Sequence, residues 1–264
     1  MTMPKFSNPR DDHVLDIQVD RQIACLTMNR PHKRNAMCDE LLDAIDAFFS
    51  NPPENIKVAI LRGTAGHYCS GLDLSEHIAR NAEHTMRHSR NWHRVMDQIQ
   101  FGGLPVVSAM QGAVIGGGLE LATSTHVRIA EPDTIFQLPE GRRGIFVGGG
   151  ATVRAGRILG ADRMVEMMLT GRKYDADEGR VLGLTHYSVG QGEAFDLAVK
   201  LANKIASNAS LSNYIMIQAI GRIEDMAKTD GLFTESLCAA LTQTSPDAEE
   251  GLKAFLEKRP PQFR

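Results

Sequence analysis

The chain has 264 residues, of which 42% are hydrophobic and 23% charged, and its 29 basic and 32 acidic side chains give a formal net charge of −3. That length can bury a substantial core, and the slight acidic excess argues against nucleic acid as a partner. The four scattered cysteines (Cys25, Cys38, Cys69, Cys238) show no C-x-x-C or ligand spacing, so no metal site and a reducing compartment are expected. No apolar run approaches the ~18 residues of a membrane-spanning helix, and "MTMPKFSNPRDDHV" has neither a secretory apolar core nor transit-peptide character. A cytoplasmic chain that acts on small molecules or associates with its own copies is the expectation.

In chain order, "HVLDIQVD" and "QIACLTMN" read as strands joined at Asp20-Arg21, and "NRPHKRNAM" as a basic loop stopped by proline. "CDELLDAIDAFFS" places Leu41, Leu42, Ile45, Phe48 and Phe49 at helical spacing, with Asp39 as the expected N-cap. "KVAILRG" is a buried-type strand, "TAGHYCSGLDLSEH" a small-residue loop, and residues 76 to 101 a long polar helix. "LPVVSAMQG" is another buried strand, followed by the glycine run of "AVIGGGLELATS" and a short helix. "HVRIA" and "TIFQLPE" are short strands, and from Gly148 onward nearly all is helical. No Gly/Ser-rich or Pro-rich linker divides the chain, so one α/β unit with a helical carboxy-terminal region is predicted.

Three stretches could carry chemistry. Gly116-Gly117-Gly118 after a buried strand lets backbone approach a ligand closely, and the free N–H groups of a helix start can stabilise an oxyanion. Glu120 would sit beside that spot, although a first-turn glutamate is also favoured by the helix dipole alone. Glu140, between Pro139 and a glycine-rich run, could be a second acid that divides acid and base work with the first. It could equally be a salt-bridge partner of Arg142 or Arg143. Ser70-Gly71-Leu72 in "CSGLDL" could offer another N–H, with Asp73 as a cap or ion-pair partner. Nucleotide and esterase readings fall away, because G-x-G-x-x-G, G-x-x-x-x-G-K-[ST] and G-x-S-x-G are missing.

Together these features resemble the crotonase, or enoyl-CoA hydratase/isomerase, superfamily. "NRPHKRNAM" is similar to its N-R-P-x-x-x-N-A loop, "CSGLDLSE" to A-G-x-D-L/I, and "PVVSAMQGAVIGGGLELATSTHVRIA" to its glycine-rich G-G-G-x-E-L-A segment. "FQLPEGRRGIFVGGG" resembles F-x-x-P-E-x-x-x-G-x-x-P-G-x-G, and "AFLEKRPPQF" the A-F-x-E-K-R-x-P-x-F terminus. Five collinear pieces span nearly the whole chain.

The resemblance implies a ββα spiral core over residues 1–195, followed by a helical trimerisation region over 196–264 that builds a homotrimer or a hexamer. It also implies an acyl-CoA substrate and no cofactor beyond the coenzyme A of that substrate. The backbone N–H groups of Leu72 and Gly117 would form the oxyanion hole. Glu120 and Glu140 would be the catalytic acids, holding a water positioned by Gly148. Arg30, Lys33, Arg34, Ala36, Ser70, Gly71, Asp73, Leu74, Phe255 and Lys258 would contact coenzyme A, the last two across a subunit boundary. For the basic cluster a solvated loop is the bland alternative. Met86, Trp92 and Met96 would line the acyl pocket, although Trp92 could simply be core.

Three departures bear on the acyl pocket. Val147 stands where the family has proline, "EGRRG" replaces an apolar residue and asparagine, and "THVRIA" lacks the usual Cys-Asp. Retention of both glutamates favours hydration over the one-acid isomerases. A hydratase-lyase and a non-catalytic RNA-binding relative are the other readings, the last opposed by the net charge of −3.

Overall fold

The computed structural model describes residues 5–10, 13–76 and 81–263. Strands β1 (Leu15–Asp20) and β2 (Ile23–Met28) form an antiparallel hairpin. Strands β3 (Val58–Gly63), β4 (Val106–Met110), β6 (Val127–Ala130) and β8 (Tyr187–Ser188) then add in parallel, giving a six-stranded sheet in the order β1-β2-β3-β4-β6-β8. A second, two-stranded parallel sheet pairs β5 (Ala113–Ile115) with β7 (Ile135–Gln137). Isolated bridges from Met37 to Leu72 and from Cys69 to Val114 extend the pairing into the loops.

The central strands are buried on both faces, which explains their near-continuous apolar runs. Val58, Ile60, Val107, Ala109 and Ile129 face helix α7 (Ala194–Ala206) and pack on Ala194, Ala198, Val199 and Ala202. The alternating residues Ala59, Leu61, Val106 and Met110 face the opposite layer, which contains α1 (Asp39–Ser50) and α2 (Ala82–Phe101). Because side chains alternate along a strand, a one-residue slip would exchange these two cores, so the register is set by packing. The expected boundary at 195/196 falls inside α7.

Helix α1 buries the anticipated stripe of Leu41, Leu42, Ile45, Phe48 and Phe49. Its N-cap is Cys38 rather than Asp39: the Cys38 Sγ accepts from Leu41 N at 3.4 Å, and Asp39 is the first helical residue. Helix α2 buries Trp92, Val95, Met96 and Ile99 on one face. The expected start of α2 at 76 is corrected to Ala82, with Asn81 as cap; residues 77–80 lie outside the described residues.

Helix α3 (Gly117–Thr123) follows β5, and α4 (Ala151–Leu159), α5 (Ala161–Thr170) and α6 (Ala176–Val181) follow the glycine-rich loop. The last three helices, α8 (Ser210–Ile223), α9 (Lys228–Gln243) and α10 (Pro246–Leu256), bury few residues. They leave Tyr214, Ile220, Phe233, Leu237, Leu252 and Phe255 exposed. Among the described residues no helix is long and apolar enough to cross a membrane.

Candidate active site

The glycine run closes one side of the site. Gly116 has φ of 54°, a left-handed conformation suited to glycine, and its N–H is bound by Gln137 O at 2.8 Å across the β5–β7 sheet. The turn brings the start of α3 against the 69–75 loop. That loop is pinned by Met37 N donating to Gly71 O and Asp73 N donating to Met37 O, both at 2.8 Å. Alternation along the extended chain turns the Leu72 N–H to the other side. A Cβ built on Gly117 would lie 3.3 Å from Leu72 N, and neither the Leu72 nor the Gly117 N–H has an acceptor among the described residues. Two neighbouring, unsatisfied donors are what a developing oxyanion requires.

Glycine is demanded at Gly117 for space as well. A Cβ there would come within 2.8 Å of the Trp92 indole, and one on Gly118 within 2.1 Å of Cys69 O. The residues that shape the donor pair thus forbid side chains on the helix start.

Glu120 and Glu140 reach the same place from different elements. Glu120 is in the first turn of α3, buried, and its Oε1 accepts from Gly149 N at 2.7 Å and from Ala151 N at 3.1 Å. Burial raises its carboxyl above the usual carboxylate range, while the two N–H donors and Arg154 pull the other way. Glu140 opens a short 3-10 turn (Glu140–Arg143) after Pro139. Its Oε1 lies 2.7 Å from where a Gly116 Cβ would be, and its Oε2 is buried with no hydrogen-bond partner among the described residues.

Burial pushes the Glu140 carboxyl up to about 7, assisted by the Glu120 charge and opposed by Arg143. Among the described residues no ion pair joins Glu140 to Arg142 or Arg143, and the Arg142 guanidinium donates to Thr170 O instead. Two acids in different environments in one place, one held by N–H donors and one with an oxygen left unpartnered among the described residues, are an arrangement for acid–base work.

Both carboxyls line a notch of about 100 Å³ together with Gly71, Leu72, Gly117 and Gly148. Leu72, Glu120, Val147 and Gly148 also line an adjoining apolar cavity of about 550 Å³, walled by Met86, Ser89, Trp92, Ile145 and Phe146. That volume lies in the range of small-molecule sites.

The expected acyl-pocket residues divide. Met86 stands exposed at the mouth, and Trp92, only 4% exposed, forms the wall. Met96 is corrected to core: it is fully buried in the main cluster and lines neither cavity, because a residue four positions beyond Trp92 is one helical turn deeper under the sheet.

The expected coenzyme A residues divide too. Ser70, Gly71 and Leu74 line the notch. Arg30 is instead committed to Asp73 Oδ2 at 2.8 Å and to Ala36 O at 2.5 Å, which leaves that guanidinium as a brace of the Leu72 loop. The Arg30 and Ser75 contacts hold the Asp73 carboxyl well below the usual range. Ala36 is buried with its carbonyl taken by Arg30; Lys33 and Arg34 are exposed, and Lys33 Nζ reaches Ser75 Oγ at 3.2 Å. Phe255, on α10, and Lys258, just beyond it, line neither cavity, and Phe255 is 79% exposed. Ser89, Gly149 and Ala151 were not anticipated from the sequence, although Ser89 and Trp92 lie one turn apart on one face of α2.

The fold and this arrangement can be set beside known proteins. The chain belongs to the enoyl-CoA hydratase/isomerase family, whose model matches residues 18–264. It is similar to a mouse mitochondrial protein named enoyl-CoA hydratase domain-containing protein 2, with 31% identity over 98% of this chain and 94% of the relative. Among solved structures, a Rhodopseudomonas palustris chain assigned as an enoyl-CoA hydratase superposes with a TM-score of 0.91 at 42% identity, covering 96% and 98% of the two chains. A Bacillus anthracis enoyl-CoA hydratase superposes with a TM-score of 0.89 at 28% identity, covering 95% and 99%. The α/β crotonase fold expected from the sequence is the fold found.

Proposed function

We propose that the protein is an enoyl-CoA hydratase, adding water across the 2,3-trans double bond of an enoyl-CoA thioester. The observation that carries this reading is the convergence of Glu120 and Glu140 on one notch with the Leu72 and Gly117 N–H donors. The thioester oxygen would sit between those two donors, which bind it more strongly as negative charge develops on it. Glu120, held by Gly149 and Ala151, would take a proton from the water as it attacks Cβ. Glu140, whose carboxyl burial pushes up to about 7, would deliver one to Cα. Gly148 would position the water. The acyl chain would extend into the cavity along Trp92, and no cofactor beyond coenzyme A of the substrate is required for these steps.

An isomerase needs one acid, so the second carboxyl in the notch supports hydration. The exposed apolar face of α8–α10 supports assembly as a trimer or a dimer of trimers. With its four cysteines free, the protein suits a reducing compartment such as the cytoplasm.

The test is a panel of enoyl-CoAs with short, long and aromatic tails, assayed by loss of the conjugated enoyl absorbance and by mass analysis of products. Glu120→Gln and Glu140→Gln should each lower kcat by about 10²- to 10⁴-fold, the usual range for a positioned general acid or base. Undiminished turnover in either variant refutes the assignment.

A further inference from the structure

One peptide in the site is gripped from both sides. The Gly149 N–H that donates to Glu120 Oε1 at 2.7 Å belongs to the Gly148–Gly149 peptide. The carbonyl of that same peptide, Gly148 O, accepts from Ser89 Oγ at 2.6 Å. In a trans peptide the C=O and N–H point in opposite directions, so a hydroxyl on α2 holds one edge of the plane and a carboxylate on α3 the other.

On the following peptide, Arg154 Nη1 donates to Gly149 O at 3.3 Å, but the side-chain hydrogen bonds to the Gly148–Gly149 plane itself are, among the described residues, those from Ser89 and to Glu120. The plane lies in Val147-Gly148-Gly149-Gly150, and neither of its own residues has a Cβ to resist rotation. No proline ring at Val147 stiffens the approach. A rotation of the plane would replace the N–H facing Glu120 with a carbonyl oxygen, removing a donor from a buried carboxylate and adding repulsion.

We propose that Ser89 is a positioning residue. Its hydroxyl latches the Gly148–Gly149 peptide in the orientation that keeps the Gly149 N–H on Glu120 and the Gly148 backbone facing the notch. Ser89 acts through this peptide and exchanges no proton with substrate. His93 Nε2, 3.5 Å from Ser89 Oγ, stands one turn further along α2 at the limit of hydrogen-bond reach.

The activity arm of the test rests on the hydratase reading, whereas the structural arm does not. In the full-length protein, Ser89→Ala should lower kcat about tenfold on the best enoyl-CoA of the panel, the effect of losing one well-placed hydrogen bond. KM should stay within about twofold, and Ser89→Thr, which keeps the hydroxyl, should recover at least half of kcat. Crystal structures should show the plane as described in the wild type, and rotated or in two orientations in Ser89→Ala. A kcat for Ser89→Ala within twofold of wild type overturns the proposal, as does an unrotated plane in that variant. If Ser89→Thr loses as much kcat as Ser89→Ala, the hydroxyl is not the latch and the proposal also falls. If wild type hydrates nothing in the panel, the hydratase reading fails, and the orientation of the plane in the two crystals alone decides the latch.

Discussion

Glu140→Gln should cost activity and gain stability relative to wild type as pH rises. Burial moves the folded carboxyl from its ordinary 4.5 up to about 7. Because the folded value is raised, the native state holds its proton more tightly than the unfolded chain does. Below about pH 4.5 both states are protonated and nothing is lost. Between about 4.5 and 7 the unfolded chain gives up its proton first, so the native state loses stability as pH rises, and the loss is complete above about 7. At about 1.4 kcal/mol per pH unit, the displacement amounts to about 3 kcal/mol.

Glutamine has no proton to release. Whatever its buried amide costs is independent of pH, so the slope of the difference is the readout. Urea unfolding of wild type and Glu140→Gln at a fixed protomer concentration should show the variant gaining about 3 kcal/mol on wild type between pH 5 and 8, then levelling. A difference that stays flat over that range would show that the carboxyl is not desolvated as described, and the argument from its burial would fail.

Two further outcomes follow from the packing around the donors. Gly117→Ala would drive a methyl to within 2.8 Å of Trp92 and 3.3 Å of Leu72 N. It should lower kcat at least about 10²-fold and destabilise the fold by about 1–3 kcal/mol, measured by steady-state kinetics and denaturant unfolding. Asp73→Asn would leave the Arg30 guanidinium without its counter-charge and loosen the Leu72 loop. It should cost about 3 kcal/mol at neutral pH and raise KM. Since the folded Asp73 carboxyl is depressed, that contribution is present above about pH 4 and lost as pH falls further, so the gap between the two proteins should narrow in acid.

Much of the fold could be read in the chain because the signals are local. The apolar spacing of α1 and the buried runs of β3 and β4 identify those elements, since each pattern has the period of its own backbone geometry. Ala113–Ile115 and Tyr187–Ser188 were not legible as strands. They are three and two residues long, and only the partners Ile135–Gln137 and Ile129–Ala130 make them strands. The cap of α1 went to Cys38 instead of Asp39 because only the local geometry decides which side chain meets Leu41 N.

The same division runs through the site. The motifs single out Glu120, Glu140, Leu72 and Gly117 only through the family resemblance, since a first-turn glutamate or a salt-bridged one is an ordinary structural residue. What the sequence could not assign was which side chains remain free once the chain has closed. Arg30 appears as a ready phosphate ligand in a basic loop, yet folding joins it to Asp73, 43 positions away. Met96 appears as pocket, yet one helical turn buries it. Ser89 carries no motif, and its importance arises from a peptide 59 positions later. Local periodicity and turn chemistry determine elements and reactive groups; burial, pairing and the raised value of Glu140 depend on neighbours distant in the chain, and only tertiary packing brings those together.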